Sequence, residues 1–351
     1  MRGKDLPGEL QQGEGNIGED SSHSPEVPPE LSRLQRASAG IVMAFCAGLV
    51  FMTGSTSPEY ASDLDQIWHA ARAVLAGLDP YAPEAASWVS DWGFPLYYPL
   101  PAILAAVPLA LLPLAAARLV FVVASTFLLA YGLTRSGAHR LLVFGSGAYL
   151  GALASAQWSP LLTASLVLPA LAPAIVVKPN IGAALLGAVP TRRFVAAGFA
   201  GGAGLGLMAF LVDPAWLVKW IGAVGEAPHI HSPLLLPGGL LVLVALLRWR
   251  RWEARLLVAL AIVPHTTLAY EALPLLLVAR GWKQLLGLAL LSQVALVGQF
   301  VLDPRGSGSG GAALAEFAQW TRRVGMLNLA LLYLPATLMV LQRPNERSRP
   351  P

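Results

Sequence analysis

The sequence predicts an all-α protein, a polytopic bundle of transmembrane helices, on three observations. Of its 351 residues, 55% are hydrophobic and only 13% are charged, whereas a soluble domain carries about 25% charged residues. The mean hydropathy is +0.58. Apolar runs recur from residue 38 to residue 341, separated by short polar segments. A chain this apolar cannot cover a water-facing surface, so we expect lipid to cover most of it.

The two ends of the chain differ in composition from the middle. Residues 1–36 are rich in Gly, Pro, Ser and Glu and poor in aliphatic residues, which predicts a disordered N-terminal tail. This stretch is too long and too acidic to precede a cleavable signal segment, so we expect the first apolar run to be a retained anchor. Residues 37–342 form the predicted transmembrane domain, and 343–351 form a short C-terminal tail.

The number of spans follows from the lengths of the apolar runs. A crossing helix needs about 17–25 apolar residues, fewer where protein shields it, and about 10–12 spans fit this requirement. The candidate runs are 38–54, 97–114, 118–134, 140–156, 161–177, 179–190, 194–212, 233–248, 254–269, 270–280, 284–302 and 326–341. The runs 179–190 and 270–280 are too short to cross unaided, so they are either half-helices or continuations of their neighbours.

Lysine and arginine residues indicate the orientation, because cytoplasmic loops are enriched in them. With twelve crossings, the main basic clusters and both termini fall on the cytoplasmic side, and the long loops 55–96, 213–232 and 303–325 fall outside. Six basic residues then lie on the wrong side: Arg135, Arg140, Lys178, Arg305, Arg322 and Arg323. They indicate either a different path of the chain or an anion-binding surface.

The first outer loop contains a predicted amphipathic helix. From Ser62, apolar residues recur with helical spacing up to Leu78, and Ser62 with Asp65 resembles a capping box. Gly77 should end the helix and Pro80 should prevent its restart. We expect the apolar face to lie on the membrane surface, with Asp63 at the first turn.

Asp63 and Asp65 permit two interpretations. An aspartate at a helix N-terminus is often only a cap or a partner of the helix dipole. A carboxylate at the boundary between membrane and water could instead act as a general base toward an acceptor hydroxyl, with burial tuning its pKa.

The motifs around this loop resemble glycosyltransferase family 87, the integral membrane hexosyltransferases of the GT-C superfamily. The resemblance is carried by Ser62-Asp63-Leu64, by the Gly-x-x-Pro-Tyr turn at 77–81, and by Tyr97-Tyr98-Pro99-Leu100-Pro101 before a helix rich in Pro and Leu. The order of features extends over roughly residues 40–340. The family's Gly-Gln-x-Asn turn is kept only at Gln157, its Lys-Pro pair is matched by Lys178-Pro179, and its later histidine is displaced to His265.

The resemblance implies a GT-C-like fold and a role for each matched residue. It implies a donor in which a sugar is linked to polyprenyl phosphate, so no nucleotide-binding domain is required. Asp63 would be the catalytic base, with Asp65 in reserve, and Lys178 and His265 would bind the donor phosphate. Substrate-binding positions are Tyr81, Tyr97, Tyr98 and Gln157. No metal site and no cofactor are expected, and the need for a divalent ion is left open.

The function expected from the resemblance is a hexosyltransferase of class EC 2.4. It would move a hexose such as mannose to a lipid or glycan acceptor on the outer face of the plasma membrane, with membrane lipids as partners and no nucleic acid. The alternative is a polytopic transporter or lipid flippase, since transporters also carry ionisable groups within the membrane. A degenerate family member with a scaffolding role is a third interpretation. The sugar, acceptor and linkage cannot be predicted from the sequence.

Overall fold

The computed structural model describes residues 31–55, 62–82, 96–225, 227, 230–302 and 310–348, without the side chains of 310–314. The predictions for 1–30 of the N-terminal tail, for 56–61 and 83–95 of the first outer loop, for 303–309 and for 349–351 therefore lie outside the described residues.

The described chain is an all-α bundle, as predicted, and its only β pairing is one isolated antiparallel bridge between His231 and His265. The α-helices are α1 (Arg33–Gly54), α2 (Asp63–Leu75), α3 (Leu100–Ala110), α4 (Leu114–Leu133), α5 (Gly147–Ala154), α6 (Ser159–Val167), α7 (Pro179–Ala188), α8 (Arg192–Val212), α9 (Trp216–Gly225), α10 (Trp252–Ile262), α11 (Trp282–Val301), α12 (Gly310–Asn328) and α13 (Leu334–Leu341). The longer 3-10 segments are Ala138–Gly145, Pro169–Val177, Gly239–Arg248 and Ala269–Val278.

Among the described residues, five helical stretches are long and apolar enough to cross a membrane. They are Arg33–Gly54, Leu114–Ser136, Arg192–Val212, Trp282–Val301 and Ala315–Leu341. The other predicted spans are built from shorter helices that pack around them. The last stretch begins within the predicted outer loop 303–325, because α12 continues through a π turn at Leu329–Tyr333 into α13.

The first helix begins earlier than the composition of the tail predicts. Ser32 accepts a hydrogen bond from the Gln35 backbone N–H, and Gln35 accepts one from the Ser32 backbone N–H. This reciprocal capping box satisfies two of the N–H groups that a helix start leaves unpaired, so residues 33–36 form the first turn of α1. At the other end of the chain, Arg343 is buried, so residue 343 is packed against the bundle rather than part of a free tail.

The run 97–114 does not connect the two ends of the bundle. Its helical part, α3, packs along α2, and the α2 side chains Trp68 and Arg72 donate to the carbonyls of Leu112 and Ala110 at its C-terminal end. The next helix, α4, then runs antiparallel to α1, since Arg36 near the start of α1 donates to Tyr131 O near the end of α4 at 2.8 and 3.0 Å. This path brings the 135–140 segment to the same end as the first residues of α1.

The run 161–177 is a helical hairpin rather than one straight helix. Pro169 follows α6 and cannot continue its hydrogen bonding, and the segment Pro169–Val177 packs back against α6. Its two ends meet where Lys178 Nζ lies 2.8 Å from Gln157 Oε1. The half-helix α7 then packs so closely that a Cβ on Gly182 would lie 2.4 Å from Ile175 O, so only glycine fits there.

Candidate active site

The amphipathic helix α2 forms as predicted, but its apolar face packs on protein instead of lying on the membrane surface. Leu64, Ile67 and Ala71 are fully buried in the main hydrophobic core, because α3 covers that side of the helix. The helix ends at Leu75, and Gly77 adopts a φ of +73°, a left-handed conformation that glycine adopts without strain. The N-terminus of α2 is thereby held in a fixed position, with Asp63 N donating to Ser155 O at 3.0 Å.

The two aspartates of α2 have different surroundings. Asp65 is buried and accepts from the backbone and hydroxyl of Ser62 at 2.8 and 2.7 Å. It also forms a two-point ion pair with Arg118 in the first turn of α4, at 2.7 and 2.5 Å. All of these bonds are structural: they cap α2 and attach it to α4. Asp65 therefore has no capacity left to act as a base.

Asp63 instead lines a cavity of about 600 Å³, within the size range of small-molecule sites. Its Oδ2 accepts from the Tyr270 hydroxyl at 3.3 Å. Burial raises the pKa of Asp63 to about 6, with the positive charge of Lys178 opposing this and the negative charge of Glu271 adding to it. Asp63 is thus the carboxylate of α2 that can exchange a proton near neutral pH.

A buried ion pair lies in the same cavity. Lys178 Nζ donates to Glu271 Oε1 at 2.6 Å and to Gln157 Oε1 at 2.8 Å, and it lies 5.4 Å from the centre of the Tyr270 ring. The Thr266 hydroxyl donates to the same Glu271 oxygen at 3.3 Å. Because the ion pair with Glu271 neutralises the charge of Lys178, this lysine is held at the cavity wall rather than extended to solvent.

His265 lies in the irregular segment between α10 and Ala269–Val278. Its Nδ1 is 2.8 Å from Val263 O, and because a carbonyl only accepts, Nδ1 carries the hydrogen. In the neutral ring Nε2 is then the basic nitrogen. Backbone bonds of 3.0 Å in both directions with His231 fix the segment, so the imidazole has a defined place on the cavity wall.

Aromatic side chains form another part of the wall. Trp220, Phe317 and Trp320 line the cavity together with Tyr97 and Tyr98. The indole N–H groups of Trp220 and Trp320 donate to Tyr97 O at 2.8 Å and to Gln299 O at 3.0 Å, which fixes the orientation of both rings. The cavity therefore combines flat apolar surfaces with a small number of charged groups.

The described part of the first outer loop is tied to α9 beside this cavity. Lys219 bridges Asp79 and Asp213 at 2.6 and 2.7 Å. The Tyr81 hydroxyl donates to Tyr98 O at 2.9 Å. These bonds hold Tyr98 in place at the cavity wall.

The structure brings together most of the site residues that the sequence predicts. Those that line the cavity are Asp63, Lys178, His265, Tyr97 and Tyr98. Gln157 is connected to the cavity by its hydrogen bond with Lys178, and Tyr81 donates to Tyr98 O from outside the cavity. Asp65 forms the cap of α2. No group of three His, Cys, Asp or Glu in the described part of the chain could hold a metal ion.

Sequence reasoning missed Tyr270 and Glu271. Both lie at the start of the apolar run 270–280, and an acid next to such a run is costly unless it has a partner. Lys178 also lies between two apolar runs, so pairing this lysine with Glu271 by charge would have located the site. Comparisons with protein-family models, with curated proteins and with solved structures give no match to this chain.

Proposed function

We propose that the chain is a membrane glycosyltransferase of the GT-C type, similar to glycosyltransferase family 87. It moves a hexose such as mannose from polyprenyl phosphate to a hydroxyl of a lipid or glycan at the outer face of the plasma membrane, with both termini cytoplasmic. The observation that carries the proposal is the position of Asp63, a carboxylate of raised pKa in a cavity that it shares with Lys178 and His265.

The chemistry requires a base and a charge acceptor for the leaving group. Asp63 takes the proton of the acceptor hydroxyl while the hydroxyl oxygen attacks C1 of the sugar. The bond between C1 and the phosphate oxygen breaks, its electron pair stays on that oxygen, and polyprenyl phosphate departs. One displacement from the opposite face inverts the anomeric centre.

Lys178 is the cation best placed to stabilise the leaving phosphate. Its bond to Glu271 fixes its position before the donor binds, which is the kind of preorganisation that electrostatic catalysis needs. Tyr270 donates to Asp63 and packs under the ammonium group of Lys178, so one side chain positions both the base and the cation. His265 donates to the phosphate only when Nε2 is also protonated.

The remainder of the cavity suits a lipid-linked sugar. The aromatic residues present apolar faces on which the carbon-bound hydrogens of a sugar ring or a prenyl chain can pack. Nucleotide phosphates are commonly bound by a cradle of backbone N–H groups, such as a glycine-rich loop before a helix, and the part of the lining that the described residues form has no such sequence.

The test uses membranes that carry the full chain and a labelled polyprenyl-phosphate sugar. Asp63→Asn should lower sugar transfer about 10²–10⁴-fold, the contribution typical of general-base catalysis. The thermal midpoint in detergent should not fall, because the substitution removes a buried charge. Full transfer by Asp63→Asn would refute the assignment of the base.

Asp65→Asn is the matched control, since it removes one charge two residues further along the same helix. We expect it to lower the thermal midpoint, because Arg118 loses a buried partner. Protein that remains folded should still transfer sugar. A specific loss of transfer without a loss of stability would move the base to Asp65.

The transporter alternative is favoured by one observation, the buried Lys178–Glu271 pair within the cavity, because paired ionisable groups inside membrane proteins often mark a transport path. Proteoliposomes containing a fluorescent polyprenyl-phosphate lipid distinguish the two functions. Movement of the lipid between leaflets that depends on Lys178, with no sugar transfer from any donor, would favour the transporter.

A further inference from the structure

A second group of buried charges lies at the opposite end of α10 from the cavity. Glu253, in the first turn of α10, is only 3% exposed and accepts from Arg251 at 3.0 Å and Arg343 at 3.1 Å, with Arg280 at 3.7 Å. The Ser348 hydroxyl donates to its other carboxylate oxygen. Both carboxylate oxygens of Glu253 therefore already have partners.

At this end of α10, the positive charges of the arginines outnumber the negative charge of the acidic residue that neutralises them. Arg140, from the segment Ala138–Gly145, is also buried, and its charge together with that of Arg251 disfavours the protonated form of Arg343. Burial is the larger cause of the lowered pKa of Arg343, and Glu253 opposes it. We call Arg140, Arg251, Arg280 and Arg343 the arginine cluster. Within the described chain, Glu253 forms ion pairs with Arg251, Arg280 and Arg343, and Arg140 forms none.

Two donors of the arginine cluster are buried and lack a hydrogen-bond partner among the described residues. They are Nη1 of Arg140 and Nε of Arg251. Arg140 and Arg251 are 9% and 2% exposed, so bulk water does not solvate them freely. A buried guanidinium stays charged, and leaving its N–H groups unpaired costs more than leaving a neutral donor unpaired.

The other groups of the cluster fix its geometry. Arg343 Nη2 donates to Val278 O at 2.8 Å and to Gln284 Oε1 at 3.1 Å. Arg248 donates to the backbone carbonyls of Leu341 and Arg343, which holds the C-terminal end of α13 against the segment Gly239–Arg248. The unpartnered donor of Arg251 is also part of a fixed arrangement, because the same side chain donates to Glu253 at 3.0 Å and to Pro344 O at 3.3 Å.

From the excess positive charge and the two unpartnered donors, we infer that the arginine cluster is a binding site for a phosphate group. Guanidinium groups match phosphate oxygens in two-point hydrogen bonds. The cluster lies at the end of the bundle where α1 begins and α13 ends, and basic sites at this level of a membrane protein bind the phosphates of anionic lipid headgroups. The same donors could take inorganic phosphate.

The test measures the thermal midpoint of the purified full chain in detergent micelles with increasing phosphatidylglycerol, phosphatidylcholine or inorganic phosphate. Phosphatidylglycerol should raise the midpoint progressively as its concentration increases, and phosphatidylcholine should not. Inorganic phosphate that produces the same rise and competes with the lipid would identify the free ion as the ligand. A phosphatidylcholine effect equal to that of phosphatidylglycerol would overturn the proposal.

Arg140→Gln locates the site, and Arg135→Gln is its control, because Arg135 is exposed on the same end and carries the same charge. The phosphatidylglycerol concentration that produces a given rise in the midpoint should be about tenfold higher for Arg140→Gln, as expected for losing a charged hydrogen bond, and should stay unchanged for Arg135→Gln. An unchanged value in Arg140→Gln, or an equal rise in both variants, would overturn the assignment.

Arg140→Lys tests whether weaker binding in Arg140→Gln comes from a folding defect. It keeps the charge but loses the two-point geometry. It should bind phosphatidylglycerol with an affinity between those of the wild type and Arg140→Gln. In phosphatidylcholine micelles, Arg140→Gln should be at least as stable as the wild type, because it removes a buried, unpartnered charge. Lower stability there would contradict the claim that this charge lacks a partner.

Discussion

Buried carboxylates lie at both ends of α10, and comparing the two ends distinguishes a carboxylate with a structural role from carboxylates that line a cavity. At the N-terminal end, three arginines surround one carboxylate oxygen of Glu253, and the Ser348 hydroxyl donates to the other. Past the C-terminal end, about 16 Å along the helix, Asp63 and Glu271 share a cavity with Lys178. Positive charge is in excess at the first end, and negative charge is in excess at the second.

The difference explains which carboxylate can take part in a reaction. The Glu253 carboxylate is occupied by three arginines and by the Ser348 hydroxyl, which gives it a structural role. Among the described residues, the Asp63 carboxylate accepts one hydrogen bond, from Tyr270, and burial raises its pKa to about 6. In the proposed reaction, the donor phosphate would enter a cavity with an excess of negative charge, so its binding would depend on Lys178, the cation already in place there.

The largest expected effect is on stability and comes from removing one carboxylate at each end. Glu253→Gln leaves buried arginines without their neutralising partner, and breaking such a pair costs about 3–5 kcal/mol. Glu271→Gln should cost less, because Asp63 in the same cavity still opposes the charge of Lys178. Unfolding by sodium dodecyl sulfate in mixed micelles measures both. Equal losses of stability would remove the asymmetry between the two ends.

The second effect concerns pH. Sugar transfer should rise about tenfold per pH unit below pH 6 and level off above it, because the ionised form of Asp63 is the base. Glu271→Gln should move the midpoint to lower pH, since removing a negative charge favours ionisation. Lys178→Met should move it to higher pH by the opposite argument. Midpoints that do not move, or that move in the same direction, would exclude Asp63 as the titrating group.

The sequence predicted the α2 helix and its end correctly, because a cap, an apolar stripe and a glycine are local signals. It also selected Asp63, Lys178 and His265, which lie far apart in the chain. It could not separate Asp63 from Asp65, because the separation depends on Arg118, whose proximity follows from α3 lying along α2 rather than crossing. Hydropathy measures how apolar a run is, and α3 is as apolar as a span.

The positions of Arg135 and Arg140 have the same explanation. If the run 97–114 crosses, α4 ends outside and these arginines violate the charge rule. Because α3 stays beside α2, α4 ends beside the start of α1, as the bond from Arg36 to Tyr131 O shows. Arg140 then joins the basic end of the bundle, and the apparent exception becomes part of the arginine cluster.

The smallest effect should come from the half-exposed ion pairs beside the cavity. Lys219→Met removes the bridge from α9 to Asp79 and Asp213. The Asp79 side chain is as exposed as that of Lys219, and the Asp213 side chain is less exposed. Exposed pairs contribute about 0–1 kcal/mol, so the thermal midpoint should change little. The Michaelis constant for the sugar donor should rise, because the Asp79 tether helps to hold the loop that carries Tyr81 against Tyr98.

Asp213→Asn is the matched control, since it weakens the same bridge but leaves Asp79 bound to Lys219. If both variants raise the Michaelis constant equally, the position of α9 matters and not the loop. A loss of several kcal/mol would place a third essential charge group in the fold, outside the two ends of α10.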